Sequence, residues 1–226
     1  MLVIGFAAGA FQANCYLLAA AEGAECVVVD PGQDAGEGVA RAVREHGLDP
    51  VAVLATHGHL DHVHSAAALA DEHGAPLWIH SADRGLLTDP LSGLGPELAA
   101  LIGPVQPVLP ATVEPLDAHI GGTLELAGLR FEVVHTPGHT PGSVVFRLAT
   151  EEGGLLALTG DTLFAGAVGR TDLPGGDAAL LERSLATLAA LPEETVILPG
   201  HGPAGTIGRE RAANPFLSVS DGGGGA

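Results

Sequence analysis

The chain has 226 residues, of which 46% are hydrophobic, enough apolar material for a substantial core. Its nine basic residues are all Arg and stand against 27 acidic ones, a formal net charge of −18 that argues against nucleic acid and anionic membranes as partners. Two cysteines are too few for a disulfide framework, and no apolar run approaches the ~18 residues of a membrane span, so we expect a cytoplasmic protein.

The first 80 residues alternate between predicted strands and helices, which indicates an α/β fold. Strands are predicted at 2–7, 14–20, 26–30, 51–55 and 76–80, an amphipathic helix at 36–46 and an Ala-rich helix at 62–73. Asp30, Pro31 and Gly32 form a turn that closes the third strand. Cys15 and Cys26 lie in apolar strands, where a buried free thiol is expected.

Residues 81–118 are rich in Pro and Gly and are predicted to be irregular, apart from a short helix near 98–102. Long loops of this kind are typically functional or disordered, and we predict that this one borders a substrate entrance. Strands resume at 121–135, 143–149, 155–159 and 195–198, and a helix is predicted at 177–191 with Asp177 as its N-cap. Residues 221–226, nearly all Gly, are predicted to be disordered, which leaves a single domain over residues 1–220.

Four metal-capable side chains occupy six consecutive positions after the predicted strand 51–55. They are His57, His59, Asp61 and His62. On an extended chain His57, His59 and Asp61 project to one side and His62 to the other, so one segment could serve two ions. Imidazole with carboxylate suits zinc, iron or manganese better than calcium or magnesium. The alternative is a solvated polar loop with no ligand.

The same arrangement recurs farther along the chain, where metal-capable residues follow apolar strands in Gly-containing turns. These residues are His139, Asp161 and His201. Loops at strand ends converge in sheet proteins, so we expect all seven candidates to meet. Seven ligands are too many for one tetrahedral ion, but they suit two ions if one carboxylate bridges them.

The remaining polar candidates have simpler interpretations. His135 is separated from His139 by Pro-Gly, which excludes helical spacing, so it is predicted to be structural or to support a ligand. Asp30 could support the site, but the preferred interpretation is a turn residue. Ser143 lacks the G-x-S-x-G context of a nucleophile. The other histidines are predicted to be surface groups or buried and hydrogen-bonded: His46, His64, His73, His80 and His119.

Four motifs together resemble a known family. THGHLDH at 56–62, TPGHTPGS at 136–143, TGDTLF at 159–164 and PGHG at 199–202 are similar to motifs of the metallo-β-lactamase-fold hydrolases, in particular the short, single-domain glyoxalase II-like branch. The resemblance implies an αββα sandwich, two mixed β-sheets face to face with helices on the outer faces.

The resemblance also implies a set of ligands. One ion would be held by His57, His59 and His139 and a second by Asp61, His62 and His201, with Asp161 bridging. The ions, zinc or else iron or manganese, would share a hydroxide that cleaves a thioester such as S-lactoylglutathione. True β-lactamases of the superfamily place a cysteine at the position of Asp161 and lack the histidine matching His62, which argues against antibiotic hydrolysis.

The motifs say less about substrate binding than about the metal ligands. Arg170 matches a position where glyoxalase II has a substrate-contacting lysine, so it could bind a substrate carboxylate; an ordinary loop arginine is the alternative. The helical carboxyl-terminal domain that gives glyoxalase II much of its glutathione contact does not match any part of this sequence, which leaves the thiol carrier open.

Two other functions remain alternatives. The persulfide dioxygenases share the fold and the H-x-H-x-D-H cluster, and they bind one iron through positions matching His57, His139 and Asp161. A non-catalytic metal-binding module is the third alternative. The oligomeric state is not indicated by the sequence.

Overall fold

The computed structural model describes residues 1–150 and 153–217. Within these ranges the chain forms two six-stranded sheets. The predicted Gly-rich tail at 221–226 lies outside the described residues, as do 218–220 at the end of the predicted domain.

The N-terminal sheet has the strand order β1-β2-β3-β4-β5-β6. Its strands are β1 Leu2–Ala8, β2 Ala13–Ala19, β3 Glu25–Val29, β4 Asp49–Leu54, β5 Leu77–Ile79 and β6 Val113–Pro115. β1, β2 and β3 pair antiparallel, whereas β3 to β6 pair parallel, so the sheet is mixed. The parallel pairs need crossover connections, which the helices supply.

The C-terminal sheet is also mixed. It contains β7 Thr123–Leu126, β8 Leu129–His135, β9 Val144–Ala149, β10 Leu155–Gly160, β13 Val196–Pro199 and β14 Gly205–Thr206, and the short hairpin of β11 Leu163–Phe164 and β12 Ala167–Val168 stands apart. Only β10 and β13 pair in parallel; β7, β8, β9 and β10 form an antiparallel run, and β13 pairs antiparallel with β14.

Alternating residues of each strand face two different apolar layers, as the period of two in a strand requires. Leu18, Leu54 and Phe146 point inward and form the core between the sheets. Their neighbours Leu17 and Val145 point outward toward helices.

The described helices are α1 Ala35–His46, α2 Leu60–Val63, α3 Ala66–His73, α4 Arg84–Thr88, α5 Pro96–Ile102, α6 Ala178–Ala189 and α7 Ile207–Ala213. All but α5, which has no buried residue, contribute to the apolar layers on the outer faces of the two sheets. α1 packs on the N-terminal sheet, joined there by residues of α2, α3 and α4, and α6 with α7 packs on the C-terminal sheet. The predicted αββα sandwich is therefore confirmed. No helix among the described residues is long and apolar enough to cross a membrane.

Several local predictions are confirmed. Both cysteines are buried and unpaired, and burial raises the pKa of the Cys26 thiol to about 12. Asp177 caps α6, because its Oδ1 accepts a hydrogen bond from the backbone N–H of Leu180 at 2.9 Å.

The helix predicted at 62–73 is broken, which the sequence pattern did not indicate. The backbone N–H of Ser65 donates to the carbonyl of Pro31 instead of continuing the helix. A Cβ at Gly32 would lie 1.7 Å from the carbonyl oxygen of Asp61, so the turn at 30–32 approaches the start of the helix closely. The glycine makes this contact possible, and the contact separates α2 from α3.

The segment 81–118 is more ordered than predicted. It contains α4, α5, two short 3₁₀ turns and the edge strand β6. β6 includes Pro115, which lowers its strand propensity, and its parallel pairing with β5 decides its conformation. α7 was also missed, although Thr206 caps it by accepting from the N–H of Arg209.

Candidate metal centre

The candidate ligands meet at one end of the sandwich, where four strands terminate. His57 and His59 follow β4, His139 lies between β8 and β9, Asp161 follows β10 and His201 follows β13. A hydrogen bond from the Tyr16 hydroxyl to the carbonyl of Pro199, 2.8 Å long, holds the end of β13 against β2. The convergence of loops expected from the sequence is therefore present.

Asp61 and His62 reach the cluster in a different way from that predicted. They lie in the first turn of α2 and not on an extended chain. The strand ends at Leu54, and residues 55–59 form a loop before the helix begins. The alternation expected over 57–61 is therefore absent, and the turn of the helix brings these two side chains to the site.

Three overlapping groups of ligand atoms could each hold a metal ion. They are His57, His59 and His139; His57, His62 and Asp161; and Asp61, His62 and His201. Within each group the ligand atoms lie within 4.8 Å of one another. All seven residues predicted from the sequence belong to at least one group.

The spacing in the third group matches a tetrahedral site. Nε2 of His62 and Nε2 of His201 are 3.3 Å apart, and Oδ2 of Asp61 is 3.6 Å from the first and 3.2 Å from the second. Ligand atoms about 2.0–2.1 Å from zinc in a tetrahedron are about 3.3–3.4 Å from each other. These three side chains therefore fit one ion without rearrangement.

Asp161 lies between the groups. Its Oδ1 is 3.3 Å from Nε2 of His62, and its Oδ2 is 3.6 Å from Nε2 of both His139 and His201. The buried Oδ1 has no hydrogen-bond donor. A Cβ at Gly200 would lie 2.2 Å from this atom, so the glycine leaves the space that the carboxylate occupies.

Hydrogen bonds to backbone carbonyls turn Nε2 of His139 and of His201 toward the cluster. Nδ1–H of His139 donates to the carbonyl of Arg170 at 2.8 Å, and Nδ1–H of His201 donates to the carbonyl of Phe11 at 3.1 Å. Each ring therefore presents the unprotonated Nε2 inward, as metal-binding imidazoles do. His59 is reversed: its Nδ1 faces Nε2 of His139 at 2.8 Å.

Asp30 supports two of the ligands, which corrects its interpretation as only a turn residue. Its buried carboxylate accepts from the N–H and the hydroxyl of Thr56, both at 2.7 Å, and from Nδ1–H of His62 at 3.1 Å. Because the Thr56 hydroxyl hydrogen goes to Asp30, its oxygen accepts from Nδ1–H of His57 at 3.1 Å. Asp30 thus orients His62 directly and His57 through Thr56.

Burial and mutual repulsion keep two of the imidazoles neutral. Burial lowers the pKa of His57 well below its usual value, and the neighbouring His62 and His139 lower it further. Burial and then His139 lower the pKa of His59 to about 4. Burial raises the pKa of the Asp161 carboxyl, but the His62 imidazolium beside it leaves the pKa below its usual value. At neutral pH these ligands are deprotonated, the state that a metal ion requires.

Asp83 connects two ligand loops and was not identified from the sequence. It is fully buried, and its carboxylate accepts from the N–H of Gly58 at 2.9 Å, the N–H of Gly142 at 2.7 Å and the hydroxyl of Thr140 at 2.6 Å. The loops carrying His57 and His139 are therefore joined by one side chain. Asp83 lies in the segment predicted as irregular, and nothing local distinguishes it from a solvent-exposed aspartate.

The other polar candidates take structural positions. Nε2–H of His135 donates to the carbonyl of Pro141 at 2.8 Å, and its ring stacks on His80 at 4.5 Å. Ser143 hydrogen-bonds to Thr140 within the same loop. His119 contacts the ring of Trp78 edge-on.

A cavity of about 170 Å³ opens beside the cluster. His59, Asp61, Asp161 and His201 form part of its wall, and Arg170 contributes to the rim. The guanidinium of Arg170 is paired with Asp172 through two hydrogen bonds of 2.7 Å, and its side chain is exposed.

Comparisons with known proteins identify the family to which this fold belongs. Residues 8–201 match the family described as the metallo-beta-lactamase superfamily. The hydroxyacylglutathione hydrolase GloC of Haemophilus influenzae is 38% identical, over 92% of this chain and 94% of the relative.

Two solved structures have the same fold. The crystal structure of the BLEG-1 B3 metallo-beta-lactamase is 35% identical with a TM-score of 0.83, covering 96% of this chain and 100% of that one. The crystal structure of TTHA1623 in a di-iron-bound form is 38% identical with a TM-score of 0.78, and the match covers 95% of this chain and 100% of that one. The chain belongs to the metallo-beta-lactamase superfamily, a family of metallo-hydrolases that generally bind divalent metal ions.

Proposed function

We propose that this protein is a thioester hydrolase of the glyoxalase II type that uses two divalent metal ions. The observation that carries the proposal is the position of Asp161 between two groups of ligand atoms. One ion would use His57, His59 and His139, the second Asp61, His62 and His201, and Asp161 would bridge them.

The buried, unpartnered atoms of the cluster fit this assignment. Nε2 of His57 and Oδ1 of Asp161 are buried without a hydrogen-bond partner, and both face the other ligands. Nε2 of His62 and Nε2 of His201 face each other at 3.3 Å. Their Nδ1 atoms donate elsewhere, so a metal ion could take the place of the proton that the His62 imidazolium holds between the two nitrogens.

Two bound ions would lower the pKa of a water molecule toward about 7, to give the hydroxide nucleophile, and would polarise the acyl carbonyl. The residues of this chain fix the geometry around that chemistry. Asp30 and the carbonyl of Arg170 hold the imidazoles in the required tautomers, and Asp83 keeps the two ligand loops at a fixed separation. Water then adds across the C–S bond, giving a carboxylic acid and a thiol.

Zinc is our proposal for the native metal, with iron or manganese as alternatives. Five imidazoles and two carboxylates suit all three metals. The similarity to TTHA1623, whose structure is described as di-iron-bound, supports iron as the first alternative. We further propose a small-molecule thioester as the partner rather than nucleic acid or a membrane, since the chain has a formal charge of −18.

β-Lactam hydrolysis is a second candidate, favoured by the similarity to the BLEG-1 enzyme. A β-lactam also presents an acyl carbon to the same nucleophile. Asp161 stands where the resemblance places the cysteine of true β-lactamases. We therefore rank β-lactam hydrolysis below thioester hydrolysis. A persulfide dioxygenase would need one ferrous ion and would leave the ligands around His201 without a metal.

The test uses one preparation of the protein with its metal content measured by mass spectrometry. S-Lactoylglutathione, simple acyl thioesters and a penicillin are assayed for hydrolysis, and oxygen uptake is measured with glutathione persulfide. We expect up to two ions per chain and thioester hydrolysis at the same rate under argon as in air. Oxygen consumption that is stoichiometric with the persulfide, at one iron per chain, would instead identify a dioxygenase.

A further inference from the structure

Apolar side chains form much of the wall of the cavity beside the metal centre. These side chains are Phe11, Leu60, Leu94, Leu98, Ile102 and Leu173. They come from four separate parts of the chain, so the apolar wall is formed by the tertiary structure and not by one amphipathic segment.

α5 supplies two of these side chains without being part of the core. None of its residues is buried. Leu98 and Ile102 are four positions apart, lie on the same face of the helix and line the cavity. Leu101, on another face, is 83% exposed. Leu98 and Ile102 are only partly buried and therefore keep apolar surface open to the cavity.

The cavity offers little to an anionic substrate apart from the proposed ions. Among the described residues Arg170 is the one Arg or Lys that lines it, and its guanidinium is already bound by both oxygens of Asp172. Glu97 lines the adjoining surface together with Arg170 and Asp172, which adds further negative charge. The two carboxylates of glutathione would therefore meet no unpaired Arg or Lys at this rim.

We propose that the substrate is a short, apolar acyl thioester of a thiol without carboxylates, and that its acyl chain lies against Leu98 and Ile102. This proposal rests on the thioesterase function proposed above. The volume of about 170 Å³ is below the roughly 300–1,000 Å³ typical of drug-sized ligand sites, which favours a short acyl chain. Leu98 and Ile102 are then the residues that determine specificity.

Binding is tested with thioethers, which lack the acyl carbon and cannot be hydrolysed. S-Ethyl, S-butyl and S-hexyl N-acetylcysteamine and S-hexylglutathione are titrated into the metal-loaded protein by calorimetry. We expect the affinity of the neutral series to rise about two- to four-fold per methylene group, until the cavity is filled, as apolar burial predicts. S-Hexylglutathione should bind no more tightly than its neutral counterpart. Affinities independent of chain length, or a clear preference for the glutathione compound, would overturn the proposal.

Variants of one helix supply the matched control. Leu98→Ser and Ile102→Ser should each reduce the dependence of kcat/KM on acyl chain length, while Leu101→Ser should keep the parental dependence, with melting temperatures measured for all three. If Leu98→Ser and Leu101→Ser change the dependence of kcat/KM on acyl chain length equally, Leu98 does not determine specificity through the cavity. If S-lactoylglutathione is hydrolysed in preference to all neutral thioesters, the proposal of a thiol without carboxylates is wrong, but the thioesterase function still holds. Failure to hydrolyse any thioester would remove the proposed function itself, whatever the thioether affinities.

Discussion

Single carboxylates determine the geometry of the proposed metal centre. Asp30 receives three hydrogen bonds and orients two imidazoles, and Asp83 receives three and joins two loops. Neither faces the cavity as a ligand. Both are buried, where each unsatisfied donor would cost about 1–3 kcal/mol, so the cluster depends on them as much as on the ligands.

Asp161 is the residue whose loss should affect both ions. We expect Asp161→Ala to lose both metals, because its two oxygens face ligands of both proposed sites, whereas His201→Ala should lose mainly the second. Metal content per chain, measured by mass spectrometry after gel filtration, checks this. Asp172→Ala, which removes an exposed carboxylate outside the cluster, is the control and should keep the parental content. Unchanged metal content in Asp161→Ala would exclude the bridging assignment.

Asp83 should matter for stability as well as for metal binding. Asp83→Ala leaves the N–H groups of Gly58 and Gly142 and the hydroxyl of Thr140 without their acceptor. We expect a loss of about 3 kcal/mol or more in the free energy of unfolding of the metal-free protein, measured in urea. Asp89→Ala, an exposed aspartate in the same segment, should change it by less than about 0.5 kcal/mol. A free energy of unfolding equal to that of the parent would show that the three donors form hydrogen bonds with water instead.

At the scale of elements, the ends of β4, β8, β10 and β13 supply most of the cluster, and the turn of α2 completes it. The segment 81–118 has two different parts. Asp83 and β6 belong to the framework, and the middle, around Leu94, Leu98 and Ile102, lines the cavity. That the segment borders a substrate entrance stays a prediction, and only its middle part lines the cavity that it concerns.

Replacing 95–103 with a short Gly-Ser linker should alter KM or substrate preference more than stability. The reason is that α5 has no buried residue and contributes only to the cavity wall. Circular dichroism melting and steady-state kinetics on the same sample check this. An unfolded variant would show that α5 is part of the framework, and kinetics identical to the parent would exclude contact with substrate.

At the scale of the whole molecule, bound ions should stabilise the fold, since the ligands come from both sheets. Each ion that binds only the folded state adds about 4 kcal/mol at a thousand-fold excess over its Kd, so two ions add about 8 kcal/mol. For a chain of 226 residues this corresponds to a melting temperature about 16–32 °C lower after chelation of both ions. Differential scanning calorimetry with and without EDTA measures the shift. The melting temperature of Asp161→Ala should hardly change with EDTA. If the melting temperature of the parent protein is equally insensitive to EDTA, the proposal that it binds two ions is contradicted.

An alternating α/β chain and the seven candidate ligands could be predicted from the residues alone. Hydrophobic periodicity is local, and the metal-capable residues follow strand ends in short turns, so both can be identified without knowing which residues meet. The N-cap role of Asp177 and the burial of the two cysteines could be predicted from the sequence for the same reason. The resemblance to the metallo-β-lactamase fold added the layer order and the pairing of sheets.

Only the tertiary structure decided the rest, because it depends on contacts between distant residues. Asp30 and Thr56 are 26 positions apart, and Asp83 and Thr140 are 57 apart, so no local pattern distinguishes these aspartates from turn or surface residues. The break between α2 and α3 arises from the approach of Gly32 to Asp61. The apolar wall of the cavity and the pairing of Arg170 likewise exist only once the loops have converged, because side chains acquire these neighbours through packing and not through sequence spacing.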